Sequence, residues 1–240
     1  MTTFATVLAD LLRKEPGRPL VTFYDHATGE RVELSVTTYA NWVAKVSSLL
    51  VEEHDLVRGD ALRVDLPPHW LAPVFLGAAW NAGLVVTDAD DADAVVCGPG
   101  GLGRWADRAG DVPVLACSLL PLGVRFADPL PAGVHDVGVE VWSQPDSFIP
   151  WDPPQDDDLA LALAGDEVTQ AGLWSAAAAG SLLTDGGRLL SEADPASPPG
   201  IATVTEPLAR GGSLVLVVGA DRERLEATYA AERATARFPA

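Results

Sequence analysis

The chain has 240 residues, of which 16 are basic and 34 acidic, so its formal net charge at pH 7 is −18. Nucleic acids and anionic membranes are bound through lysine and arginine, and this charge therefore argues against both kinds of partner. Hydrophobic residues make up 48% of the chain, which excludes a disordered polypeptide and predicts a folded unit with a sizeable core.

Helices and strands alternate along the first hundred residues. We expect a helix over 2–14 and then a β-hairpin over 19–34 with a glycine-containing loop. Ser35 is positioned to cap the next helix. The stretch 59–97 has the pattern of a strand, a helix and two short buried strands, with Gly83 as the helix C-cap. This βαβ arrangement predicts a parallel sheet.

The alternation continues to the C-terminus. The expected strands lie at 112–117, 137–142, 159–163, 187–191 and 214–218, and the expected helices at 167–183, 201–210 and 222–236. The segment 119–154 between them is rich in proline and has few helical signals. The sequence therefore predicts an α/β fold with mostly parallel sheet layers flanked by helices, together with a small N-terminal hairpin.

Cysteine usage and hydropathy bear on the compartment. Cys97 and Cys117 lie on predicted strands in apolar surroundings, where buried free thiols are expected. The first residues lack the basic region of a signal peptide. The longest apolar run, 70–86, is interrupted by Pro73 and Asn81, so no membrane span is expected. These features predict a cytoplasmic protein.

A glycine pattern follows the strand that ends at Cys97. Gly98, Gly100 and Gly103 match the G-x-G-x-x-G spacing of dinucleotide-binding loops. Pro99, however, adds no N–H donor, and no carboxylate follows the next strand at the position that would bind a ribose. A dinucleotide site and a plain turn both stay open, and the turn is the favoured interpretation.

The sequence gives little support for a metal site. Asp88, Asp90, Asp91 and Asp93 offer oxygen ligands, but their spacing does not match a Ca²⁺-binding loop, and a solvated turn is favoured. The four histidines are scattered, and none has the spacing of a zinc motif: His26, His54, His69 and His135. We therefore expect no metal, no cofactor and no catalytic residues of a self-contained motif.

Two stretches carry a family resemblance. Residues 34–87, with a Gly59-Asp60 turn before a strand and an apolar strand after Gly83, resemble the N-terminal part of adenylate-forming enzymes, the acyl-CoA synthetase and luciferase superfamily. The stretches 157–162 and 206–216 are similar to two later segments of the same part. The resemblance implies an α/β fold built from discontinuous segments. It predicts one lobe over 61–191 and a second in which 19–54 packs with 198–240, within one unit over 1–240.

The residues between those stretches depart from the family. Its members carry Thr-Ser-Gly-Thr-Thr-Gly-x-Pro-Lys-Gly, a loop that wraps the ATP phosphates, where this chain has the short sequence 164–169. Asp166 and Glu167 would repel phosphate there. The chain has only two lysines, Lys14 and Lys45, and both lie in the N-terminal helices. The resemblance therefore implies the fold without the adenylation activity.

We accordingly expect a non-catalytic relative of this domain that acts as a binding or protein-interaction module. The alternatives are an enzyme of changed chemistry and an acyl- or adenine-binding protein, either of which would use a remnant cleft. His69, Asp88 and Asp166 are the candidate residues for that cleft, and their meeting in one pocket would favour the enzyme. We also expect a homodimer or a stable protein partner, with 119–151 as the covering segment.

Overall fold

The computed structural model describes residues 2–239, in which two β-sheets enclose a layer of helices. The strands are β1 (Pro19–Asp25), β2 (Glu30–Ser35), β3 (Ala61–Asp65), β4 (Val85–Thr87), β5 (Ala94–Cys97), β6 (Val114–Ala116), β7 (Val134–Asp136), β8 (Leu159–Leu163), β9 (Asp166–Thr169), β10 (Arg188–Ser191), β11 (Ser213–Val218) and β12 (Ala236–Phe238). The α-helices are α1 (Phe4–Lys14), α2 (Val36–Ser48), α3 (Leu71–Ala82), α4 (Leu102–Trp105), α5 (Val137–Glu140), α6 (Gln170–Ala179), α7 (Pro198–Ala209) and α8 (Arg222–Ala231).

Both sheets are mostly parallel. The first has the strand order β12-β10-β11-β1-β2, and only its β1–β2 hairpin is antiparallel. The second has the order β7-β6-β5-β3-β4-β8-β9, and only β8–β9 is antiparallel. The predicted α/β class and the N-terminal hairpin are thus confirmed.

Alternation along the central strands separates two hydrophobic faces on each sheet. In β11, Leu214 and Leu216 point into the main core, whereas Val215 and Val217 point to the opposite face. In β5, Val96 points into the main core, whereas Cys97 packs with α4 on the other side. Strands that are buried on both faces read as continuous apolar runs, which explains these sequences.

The main core lies between the sheets and is filled by helices. Helices α2 and α7 pack on the first sheet, α3 and α6 contact the second, and α2 meets α3 while α6 meets α7. Helix α1 contacts three of these helices. Because α3 has sheet on one side and helix on the other, eleven of its twelve residues are buried. Such a helix is apolar around its whole circumference.

The helix caps and the buried cysteines expected from the sequence are present in the structure. The Ser35 hydroxyl accepts the Thr38 backbone N–H at 3.1 Å and caps α2. Gly83 ends α3 in the left-handed region with φ 79°, where a side chain would be strained. Cys97 and Cys117 are buried and free. Among residues 2–239, no helix has both the length and the apolar character that crossing a membrane requires.

Some expected elements were wrong. Residues 137–142 form α5 and a 3₁₀ turn in place of a strand, because the Asp136 carboxylate caps the helix through Gly138 N–H and Val137 and Val141 share its buried face. The helix expected over 167–183 begins only at Gln170, and residues 166–169 form β9. The closing helix ends at Ala231, and β12 follows it as an edge strand.

The expected lobe boundary at residue 191 also needs correction. Strand β10 pairs with β11 and β12 in the first sheet, so its residues do not belong with the second sheet that contains 61–169. The fully apolar pair Leu189 and Leu190 suits a strand buried on both faces, which is available at that position of the first sheet.

The close approach of α2 and α3 gives a test of this packing. A Cβ at Gly77 would lie 3.0 Å from Phe4 and from Val43 and would collide with the Tyr39 hydroxyl. We expect Gly77→Ala to destabilise the protein by about 1–3 kcal/mol through overpacking, measured by urea unfolding. Gly103→Ala is the matched control, since nothing lies within 4 Å of a Cβ there. Equal stability of the two variants would contradict the packing described.

Candidate functional site

A tight hairpin lies where the sequence resemblance places the phosphate loop of adenylate-forming enzymes. Strands β8 and β9 pair with Leu163 opposite Asp166, so only Ala164 and Gly165 form the loop. Their φ angles are 53° and 86°, which is the pattern of a type I′ turn. A two-residue turn offers few backbone N–H groups. It is followed by β9, whose last residue, Thr169, caps α6 through its hydroxyl.

Asp88 supports this hairpin. Its carboxylate accepts the Ala164 N–H at 2.9 Å, which uses one of the turn's own backbone donors. Asp88 therefore has a structural contact that holds the β8–β9 turn.

Arginines hold Asp90, and a backbone N–H holds Asp93. Arg104 lies 2.6 Å from the Asp90 carboxylate and lowers its pKa, and Arg63 lies 3.2 Å from the same group. Asp93 accepts the Ala61 N–H at 2.8 Å. The run is thus a turn whose exposed charges are partly balanced by cations, in agreement with the favoured interpretation from the sequence.

Asp166 borders an apolar cavity of about 300 Å³ between the two sheets. The cavity lies among β8, β9, α6 and α7, and its wall includes Leu163, Ile201 and Ala177. Glu206 is the other acidic residue in the wall, and its carboxylate accepts the Leu182 N–H at 2.8 Å. Two carboxylates and an aliphatic wall make this space unsuitable for a phosphate.

His69 borders a different cavity, of about 520 Å³, at the carboxyl ends of the parallel strands. Asp25 and Val218 come from the ends of β1 and β11, and Pro67 follows β3. Crevices at the carboxyl ends of parallel strands are the usual ligand sites of α/β folds. The wall is otherwise mostly apolar and contains one further carboxylate, Glu30.

The electrostatics of this cavity favour neutral groups. The His69 side chain is 4% exposed, and burial lowers its pKa to about 4, against a weak opposing effect of Asp25. Burial raises the pKa of Glu30, and the Asp25 carboxylate raises it further. His69 Nδ1 accepts the Leu71 N–H at 3.3 Å, so the neutral ring carries its proton on Nε2.

Within residues 2–239, His69 Nε2 has no hydrogen-bond partner. Buried donors without a partner are costly, and an uncharged acceptor bound in the cavity would satisfy the histidine.

The three candidate residues do not meet in one pocket. His69 and Asp166 border separate cavities, and Asp88 borders neither of the two. Exposed apolar side chains are present instead, and the most exposed are Ile149 and Trp151 at 87% and 92%.

The fold also assembles a cluster that the sequence spacing gave no sign of. His54 and His135 both contact the carboxylate of Glu140, with nitrogen-to-oxygen distances of 3.0 Å each. His54 and Glu140 are 86 positions apart in the chain, so no local motif joins them. Only the placement of β7 and α5 beside the end of α2 brings the three side chains together.

Comparison with known proteins adds the ancestry. A protein of Mycobacterium tuberculosis, described as a TIGR03089 family protein, is 38% identical over 245 residues, which cover 98% of this chain and 97% of that protein. The chain belongs to the TIGR03089 family. No family model matches it.

Solved structures similar to this TIGR03089-family chain are acyl-CoA synthetases and a related ligase. The acyl-CoA synthetase of Brucella canis superposes with a TM-score of 0.82 at 18% identity, over 98% of this chain and 46% of that protein. The coronafacic acid ligase of Pectobacterium brasiliense gives 0.76 at 15% identity, over 98% and 49%.

The N-terminal domain of FACL13 from Mycobacterium tuberculosis gives a TM-score of 0.73 at 15% identity, over 98% of this chain and 62% of that one. The chain thus spans roughly half the length of the first two structures, and it has the fold of the N-terminal part of acyl-CoA synthetases, as the sequence resemblance predicted.

The buried His69 predicts a specific dependence of stability on pH. Its folded pKa of about 4 lies below the unfolded value near 6.5, so the unfolded chain binds more protons between these values. Stability is therefore lost as the pH falls through this window, by about 2 kcal/mol between pH 7 and pH 5 from this residue alone.

We expect His69→Gln to lose less stability than the wild type over this interval, as measured by urea unfolding at both pH values. His26→Gln is the matched control, since His26 is only partly buried and bonds to the Thr228 hydroxyl. Parallel curves for His69→Gln and the wild type would show that His69 is not buried as a neutral ring.

Proposed function

We propose that the protein is a non-catalytic binding or protein-interaction module built on the α/β layers of the adenylate-forming fold. The β8–β9 hairpin is the observation that carries this proposal. Adenylation requires cations and N–H donors around a triphosphate. At the corresponding place the chain has a two-residue turn, followed by Asp166 and Glu167.

The placement of the lysines supports the proposal. Lys45 lies 3.0 Å from the Asp146 carboxylate and also donates to the Gln144 carbonyl, so it links α2 to the proline-rich segment. Lys14 is at the exposed end of α1, 3.5 Å from Asp10. Neither lysine faces the hairpin in these contacts.

The segment 119–151 supports an interaction role. Part of it covers its own chain: Phe148 packs against the main core, and Phe126 packs on the outer face of the second sheet. Trp151 and Val57 line one groove and are exposed, and Ile149, two residues before Trp151, is exposed as well; we call these three side chains the Trp151 patch. Exposed aromatic and aliphatic side chains of this size are typical of protein contacts.

The cavity beside Asp166 supports a second candidate function, which is retention of an acyl chain without turnover. Its wall is mostly aliphatic and its volume of about 300 Å³ is at the lower end for small-molecule sites. Because Asp166 and Glu206 are its acidic residues, the cavity suits a neutral acyl group better than a free carboxylate.

The absence of adenylation can be tested directly. We expect no carboxylate-dependent exchange of pyrophosphate into ATP across a broad panel of carboxylic acids, compared with heat-inactivated protein. The double variant Asp166→Asn with Glu167→Gln tests whether the two negative charges alone prevent adenylation. We expect it to stay inactive, since removing two carboxylates does not supply the missing loop. Reproducible exchange by the wild type would overturn the proposal.

The interaction role predicts self-association or a co-purifying partner. We expect sedimentation equilibrium at micromolar concentration to give a mass above the 25.1 kDa monomer, and Ile149→Ser with Trp151→Ser to return it to the monomer. Leu122→Ser is the control, because Leu122 is 70% exposed and outside the Trp151 patch. An ideal wild-type monomer without a partner would contradict the expectation.

A further inference from the structure

Two imidazole rings converge on one carboxylate at the edge of the second sheet. Nε2 of His54 lies 3.0 Å from Oε2 of Glu140, and Nδ1 of His135 lies 3.0 Å from Oε1 of the same residue. One possible ligand atom from each of the three side chains lies within 4.8 Å of the other two. We propose that His54, His135 and Glu140 bind a single divalent transition-metal ion of the zinc class.

The fold holds these side chains on three separate elements. His54 follows a π-helical turn, Leu49–Glu53, which continues α2. His135 is the middle residue of the edge strand β7, where it is registered against Leu115 of β6. Glu140 is the last residue of α5. Because the sheet and the helix end are fixed by packing, the ligands are brought together before any ion arrives.

The three side chains of the cluster differ in how deeply they are buried. The His54 side chain is only 5% exposed, whereas those of Glu140 and His135 are 30% and 39% exposed. An ion can therefore enter from the side of His135 and keep a coordination position open to water. Three protein ligands with one open position is a common arrangement for zinc outside closed structural sites.

The donor set selects the class of ion. Two imidazole nitrogens and one carboxylate oxygen suit Zn²⁺, Co²⁺, Ni²⁺ and Cu²⁺, whereas Mg²⁺ and Ca²⁺ prefer sites made only of oxygen. Ligands about 2.1 Å from a tetrahedral ion are separated by about 3.4 Å. The two nitrogen-to-oxygen distances are 3.0 Å, and all three ligand atoms lie within 4.8 Å of one another. The side chains therefore need to move only slightly to reach tetrahedral geometry.

Charge and protonation are also compatible with the ion. Glu53 carries a negative charge that acts on His54 in addition to that of Glu140. For binding, each ring proton that now faces Glu140 moves to the opposite ring nitrogen, which changes the tautomer without changing the charge of a neutral ring.

The ion would link the proline-rich segment to the end of α2. His135 and Glu140 belong to β7 and α5 on that segment, and His54 belongs to the turn after α2. An ion bound across these elements stabilises the folded state in proportion to its concentration. The site lies apart from both cavities described above, so its test is independent of the proposed interaction role.

The test uses the full chain and Zn²⁺ in calorimetry, with Co²⁺ absorption as a second readout. We expect one ion per chain and a Co²⁺ spectrum without thiolate bands, because Cys97 and Cys117 are buried elsewhere. Glu140→Gln and His54→Gln should each lower the Zn²⁺ affinity by at least about tenfold. Loss of a residue that only hydrogen-bonds to a metal ligand already costs about that much.

His26→Gln is the matched control, since it removes a histidine outside the cluster and should leave the affinity unchanged. His135→Gln is a further variant, because the partly exposed His135 can be replaced even if His54→Gln fails to fold. Loss of binding in His135→Gln and Glu140→Gln, with binding kept in His26→Gln, supports the site. The proposed metal site is overturned if the wild type shows no saturable binding, or if His135→Gln binds with wild-type affinity. The three residues would then form a hydrogen-bonded cluster only.

Discussion

The helix layer between the two sheets depends on one buried side chain, that of Gln170. Its amide oxygen accepts the Phe4 N–H at 3.2 Å and the Trp174 indole N–H at 3.1 Å, and its amide nitrogen donates to the Trp80 carbonyl at 3.1 Å. The residue is completely buried. A buried polar group of this kind costs about 1–3 kcal/mol for each partner left unsatisfied, so the amide fixes how α1, α3 and α6 meet.

This fixed layer determines where ligands can lie. The sheets are held on opposite sides of the helices, one cavity lies between α6 and α7, and another lies at the carboxyl ends of β1, β3 and β11. The chain thus has the fold of the N-terminal part of acyl-CoA synthetases, over about half their length, and a two-residue turn joins β8 to β9. A fold and its activity are separate properties, since the activity depends on the residues of the site.

The sequence predicted the elements that local patterns specify. The Ser35 cap, the Gly83 terminus and the apolar runs of β5 and β11 each follow from spacing within a few residues. The strand expected over 137–142 failed because its alternating valines also fit one face of a helix, and the Asp136 cap decided between the two. The β8–β9 hairpin was missed because Ala164 is not a typical turn residue at positive φ.

The separation of His69 from Asp166 and the meeting of His54 with Glu140 both depend on long-range packing, which spacing cannot report. Titration of the protein with ATP and Mg²⁺ by calorimetry is the most direct test of what the turn at Ala164 does to nucleotide binding. Without phosphate-binding N–H groups and with Asp166 and Glu167 at the turn, we predict no saturable binding up to millimolar ATP. Micromolar affinity would contradict the account.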